Sequence, residues 1–154
     1  MALTGADRIL NGVVRLMRSS TPLRTTLKGG IHEDVAGRRV KYPLATYGKV
    51  SAPYVHDWGS NGNAGVREIH ALVDISFWSL SKVQAENLDQ LTDNLFSSST
   101  STEDLNAVVV GQTVFYCRRV GDLPMGPARD NEGRRIVRDG GTYDIRTYQP
   151  IPLS

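Results

Sequence analysis

Few residues in this chain could do chemistry. Its 154 residues include three histidines, His32, His56 and His70, and one cysteine, Cys117. None of the histidines lies near another His or a Cys at the spacing of a zinc site. His32-Glu33-Asp34 sets an imidazole beside two carboxylates, part of what a cation needs, but the triplet reads as a polar turn. His56-Asp57 with Ser60 has the residue types of a hydrolytic triad, without the G-x-S-x-G elbow that would position a nucleophile. Gly59, Gly62 and Gly65 recur at even spacing, but inside a turn cluster. A dinucleotide site needs its glycines between a strand and a helix. A phosphate loop of the G-x-x-x-x-G-K type does not occur. Aromatic residues are not interleaved with basic ones, as RNA-binding sheets require. Cys117, between Tyr116 and Arg118, reads as a small buried hydrophobe. A single cysteine allows no disulfide within the chain and suits synthesis in a reducing cytoplasm. The expectation is a protein with no catalytic, metal or cofactor-binding site.

The elements that would have to position such residues are clearer. Ile69, Ala71, Val73, Ile75 and Phe77 alternate with Glu68, His70, Asp74 and Ser76. This period of two marks a half-buried strand over residues 66–78. Ser81 follows as an N-cap, with Gln84 to complete a capping box. Ala85, Leu88, Leu91 and Leu95 then give one apolar helical face over residues 81–96. A strand this long exceeds what one short helix can cover, so a neighbouring copy is the expected cover. Upstream, Thr4 is an N-cap candidate. Ile9, Leu10, Val13, Val14 and Met17 form the stripe of a helix over residues 6–18, ended before Pro22. Its arginines, Arg8, Arg15 and Arg18, could meet DNA; a solvated face is the plainer reading. Residues 23–30 read as a short helical turn closed by Gly29-Gly30, residues 31–33 as a short strand, and residues 44–52 as a longer one.

Residues 53–65 read as a loop or distorted hairpin end, and residues 122–135 as a long loop. Residues 97–102 form a polar bridge. Residues 107–110 and 113–118 are strand-like, broken at Gly111. The last strands, 134–138 and 142–151, are separated by Gly140-Gly141. The fold class is therefore α/β in the α+β sense: a mainly antiparallel sheet with a long hairpin and two packed helices. One domain spanning residues 1–154 is expected.

Charge is close to balanced, with 18 Lys and Arg against 16 Asp and Glu, but unevenly spread. Residues 1–41 hold eight basic residues against three acids, and residues 57–104 hold two against eight. Such asymmetry suits head-to-tail packing of identical copies, with the basic edge of one meeting the acidic edge of the next. The absence of a long apolar run excludes a membrane-spanning helix, and no secretory signal is expected.

Tyr42-Pro43-Leu44-Ala45-Thr46-Tyr47-Gly48 opens the hairpin, and Val73-Asp74-Ile75-Ser76-Phe77-Trp78-Ser79 closes it ahead of Ala85, Leu88 and Leu95. With the order of elements, these residues resemble the tail terminator, or tail completion, family of long-tailed bacteriophages and phage-like gene transfer particles. The likeness covers about residues 6–150, and the segment 122–135 is larger than the family's minimum. The resemblance implies a non-enzymatic virion protein without cofactor. Its homohexameric ring would cap the head-proximal end of the tail tube, end its polymerisation and offer a surface for head-tail joining. The implied partners are further copies of itself, the tail tube protein and a head-tail connector or stopper protein. DNA would pass through the lumen without sequence recognition, and no membrane is involved. Two other classes compete: a connector or stopper ring, and a small enzyme. Large apolar residues beside turns are the candidate interface anchors: Tyr54, Val55, Trp58, Leu123 and Met125. The competing reading packs them on their own core.

Overall fold

The computed structural model describes residues 5–33, 40–49, 54–58, 65–123 and 126–150. Its centre is a pair of long antiparallel strands. They are β4 (Val66–Ser79) and β7 (Arg135–Pro150), in register from Val66 opposite Pro150 to Ser79 opposite Val137. Each carries two shorter strands along its outer side. β2 (Leu44–Lys49) and β3 (Tyr54–Trp58) both pair with β4, while β5 (Thr113–Asp122) and β6 (Gly126–Arg129) both pair with β7. β1 (Ile31–Glu33) adds to β2 in parallel, the one parallel pairing among the described residues of a seven-stranded sheet. The fold is α+β with a mostly antiparallel sheet, as expected.

The helices lie on one face of this sheet. α1 (Gly5–Ser19) buries Ala6, Ile9, Leu10, Val13, Leu16 and Met17, the i, i+3, i+4, i+7 spacing of an amphipathic helix. The Thr4 cap lies outside the described residues. α2 (Thr21–Thr26) starts with a proline at its first turn, where the missing N–H costs nothing, and buries Leu23. α3 (Lys82–Phe96) begins after Ser81, whose hydroxyl accepts the N–H of Gln84 at 3.4 Å. The reciprocal half of the expected capping box is different. Ser79 Oγ donates to Gln84 Oε1 and itself accepts the Ser81 N–H, so a third residue relays the cap.

Ile69, Ala71, Val73, Ile75 and Phe77 face these helices and are buried, as the alternation requires. Tyr143, Ile145, Ala45 and Val114 join them in one core, and the Phe96 and Tyr143 rings meet at 5.4 Å. Each Ile, Val or Phe among them contributes about 1.5–3 kcal/mol by leaving water. The cover expected from a neighbouring copy is supplied on this face by the chain itself, since α1 and α3 both pack on β4.

Other expectations are corrected. Residues 107–110 are not a strand: α4 (Ser101–Asn106) ends in turns, with the N–H of Val109 on Leu105 O. The described part of segment 53–65 is mainly strand β3, and segment 122–135 contains strand β6 and a tight turn at residues 130–134. Gly140 and Gly141 do not break the last strand. A Cβ at Gly140 would collide with Ile75 O, and one at Gly141 would lie 2.6 Å from the Arg119 guanidinium. Both glycines permit a close crossing in the middle of a continuous strand. Leu91 points outward, 37% exposed, and Ala85, Leu88, Thr92 and Phe96 make the buried stripe of α3 instead.

Candidate interaction surface

The opposite face of the sheet has no helix on it among the described residues. Apart from Leu44 and Leu72, its side chains are mainly polar and aromatic, and many satisfy one another across the strands. Arg138 stands 5.2 Å over the Trp78 ring and donates to Ser76 Oγ through Nε and a terminal nitrogen. Trp78 Nε1 donates to Thr46 Oγ1 at 3.0 Å, and the Thr142 hydroxyl donates to Asp74. Arg146 pairs with Asp144 at 2.9 Å and lies 4.6 Å from the Tyr116 ring centre, with Arg118 at 5.9 Å. His70 meets Glu68 at 2.7 Å. Cation-over-ring contacts at exposed sites are worth about 0.5–1 kcal/mol each.

Of the eight large apolar side chains exposed among the described residues, five lie at the two ends of β4, while Leu91, Val110 and Val120 lie elsewhere. At its start, Val66 lies near Phe115 and Tyr148, which are 44% and 41% exposed with rings 5.9 Å apart. A bulge between Val114 and Tyr116 leaves Phe115 out of the ladder with β7. At the other end Leu80 and Val83 are exposed. The two clusters are separated by the strand's length, about 43 Å at 3.3 Å per residue.

Side chains cap the backbone of β5 at two positions, Val114 and Arg119. Asn106 Nδ2 donates to Val114 O at 2.9 Å, and Asn106 Oδ1 accepts the Val114 N–H. Ser97 Oγ accepts the Arg119 N–H at 3.2 Å. These groups take the hydrogen bonds that an added strand would need.

Beneath the sheet, Arg119 ties three elements together. It makes a two-point contact with Asp89 of α3 at 2.8 and 3.0 Å, reaches Asp122 at 2.8 Å, and donates to Gly140 O. Burial opposes its charge, and the Asp89 contact outweighs burial, so its pKa rises. Asp139, buried beside this cluster, has its carboxyl raised by burial first and then by the charge of Asp89. Burial, with Asp144 nearby, pushes the Cys117 thiol up to about 12, so it is an inert thiol. The turn at 130–134 closes on Asp130, which accepts the N–H groups of Glu132 and Arg134 and the Tyr42 hydroxyl.

Of the anchors read from sequence, Tyr54, Val55 and Trp58 occupy β3, in register with His70, Ile69 and Val66. Their side chains, and that of His56, lie outside the described residues, as does Met125. Leu123 is half-exposed and its N–H donates to Gly140 O at 3.0 Å. His32 donates to Gly29 O at 2.7 Å. Among the described residues, no three His, Cys, Asp or Glu side chains are grouped to hold a metal ion. Nor is any helix there long and apolar enough to cross a membrane. Sequence reading missed Phe115, Tyr148, Leu80 and Val83; the bulge that exposes Phe115 leaves no local signature.

No protein-family model matches the sequence, and no curated protein matches it. Among solved structures, the chain is similar to one from the "Virion of native gene transfer agent (GTA) particle", with a TM-score of 0.55 at 10% identity. The match covers 88% of this chain and 91% of that one, so the two share a fold over nearly their whole lengths.

Proposed function

We propose that this chain is a structural protein of a phage-like virion, and within it the tail terminator: a single-domain subunit of a homohexameric ring. The ring caps the head-proximal end of the tail tube, stops its growth and joins the tail to the head connector, without catalysis or cofactor. The observation that carries this reading is the fold shared end to end with a chain of a gene transfer agent virion. The hairpin and helix residues that resemble the tail terminator family point the same way. Apolar groups exposed at both ends of β4 add a physical reason. They give each copy two different surfaces, as a head-to-tail contact requires, and such a contact closes into a ring when its rotation divides the circle.

Tyr54, Val55, Trp58, Leu123 and Met125 are proposed as anchors at these contacts. Particles assembled without the protein are expected to carry tails of abnormal length that fail to join heads, and complete particles to hold one hexamer each. Particles with one or two copies would overturn the ring. Changing Trp58 and Met125 to Ser tests the anchors: a folded protein with defective tails supports them, and a folded protein with normal tails refutes them. An unfolded one assigns the two residues to the core.

A further inference from the structure

We propose that the cleft between Arg129 and Arg135, on the hairpin of β6 and β7, binds a small oxyanion, a phosphate or a carboxylate group. The two arginines stand directly opposite each other in the ladder, so their side chains leave the hairpin on the same face. Both are exposed, and among the described residues neither has an acidic partner. Arg129 donates once, to Gly133 O at 2.9 Å, which leaves its other N–H groups unused. With Pro127 and Ala128 the pair lines a cleft of about 350 Å³, a size that small ligands occupy.

The hairpin carries two acids, and both are directed at Arg134 instead. Asp130 accepts Arg134 Nε at 2.8 Å and the Tyr42 hydroxyl at 2.9 Å, and Glu132 lies 3.3 Å from the same guanidinium. Arg134 itself turns to the Tyr42 ring, 5.0 Å away. The turn is thereby braced, so the positions of Arg129 and Arg135 are set before anything binds, which lowers the cost of binding. Arg67 opposite Asp57 and Arg118 opposite Asp144 have an acid across the ladder. Arg129 has a second arginine there, with Cβ atoms about 4.5–5.5 Å apart, and like charges so opposed destabilise a sheet. An anion between them reverses the sign of that contact. Guanidinium forks match the paired oxygens of a carboxylate or phosphate. Pro127 and Ala128 add no side-chain donor or acceptor, so charge decides what enters.

Titration with inorganic phosphate at constant ionic strength, balanced with chloride and followed by NMR of the arginine Nε–H groups, tests this. The signals of Arg129 and Arg135 should shift together on one saturating curve. That of Arg24, an exposed arginine on α2, should not. Arg135→Gln should weaken the Arg129 response about tenfold, the loss of one charge-assisted contact. In chloride the same variant should melt no lower than the wild type, because the like-charge pair is gone, and phosphate should no longer raise its melting temperature. Arg129→Gln is the second variant, with the Arg135 signal as its readout. An equal response from Arg24 overturns the proposal, and so does an Arg129 curve unchanged in Arg135→Gln. Light scattering separates the two sources of the anion. Phosphate that dissociates assembled copies through this pair identifies the occupant as a carboxylate of a neighbouring chain, and an unchanged mass identifies a free anion. The site does not rest on the ring. Phosphate binding by a chain that never forms rings upholds it and counts against the terminator reading, whereas rings without this site do the reverse.

Discussion

Phe77 and Trp78 are neighbours on one strand and belong to different worlds. Phe77 is fully buried under the helices, where apolar burial supplies the energy and any lost volume becomes a cavity. Trp78 lies on the uncovered face, held by a hydroxyl beneath and a guanidinium above. The covered face specifies the fold. The uncovered face is polar and internally satisfied, so it can stand in water as a free chain or against a partner without a large penalty either way.

Substitutions can break or sharpen this contrast. The largest effect is expected from Phe77→Ala, a loss of about 4 kcal/mol in urea denaturation, because a buried ring leaves a cavity that a packed sheet cannot fill. Next comes Arg119→Ala, at about 3 kcal/mol, since it strands Asp89 in a mostly buried site. Thr92→Val should move the other way. Among the described side chains the Thr92 hydroxyl is buried without a hydrogen-bond partner, and removing it should raise stability by about 1 kcal/mol. On the open face, Arg138→Ala should cost about 1 kcal/mol, from one half-buried cation-over-ring contact and the hydrogen bonds to Ser76. If Arg138→Ala cost as much as Phe77→Ala, the two faces would not differ as argued.

The smallest effect is one of pH. The Asp139 carboxyl titrates above its unfolded value, so the folded chain holds its proton more tightly than the unfolded chain does. Stability is then unaffected below the unfolded pKa and falls as pH rises from there through the folded pKa. Asp139→Asn removes the penalty, and its melting temperature should gain on the wild type at neutral pH but not in acid. An equal difference at both values would count against the raised pKa.

The covered face was the more legible in sequence. Strand alternation placed Ile69 through Phe77, and helical spacing placed Ile9 through Met17, because both faces meet one continuous core. The misreadings have physical causes. Ala107 to Val110 is an apolar run that suits a strand, but α4 starts upstream and carries the chain into turns. Gly140-Gly141 has the chemistry of a turn, and only the packing against Ile75 and Arg119 makes it strand. β3 and β6 each pair with the strand that follows, but the glycines and prolines in and beside them, Pro53, Gly59, Gly126 and Pro127, read as turn chemistry in sequence. For the candidate surfaces, the arginine stripe was visible at once. The ion pairs of Asp57, Glu68, Glu86 and Asp89 were not, since each is fixed only once the strands and helices take their places.

The side-chain amide of Asn106 on Val114 bears on how many copies an assembly can hold. An open strand edge accepts a further copy, which presents an edge of its own, and such growth has no built-in last member. Its extent is then set by concentration. Where β5 is capped at Val114 and Arg119, a further copy meets side chains, whose shapes can fix an angle and hence a count.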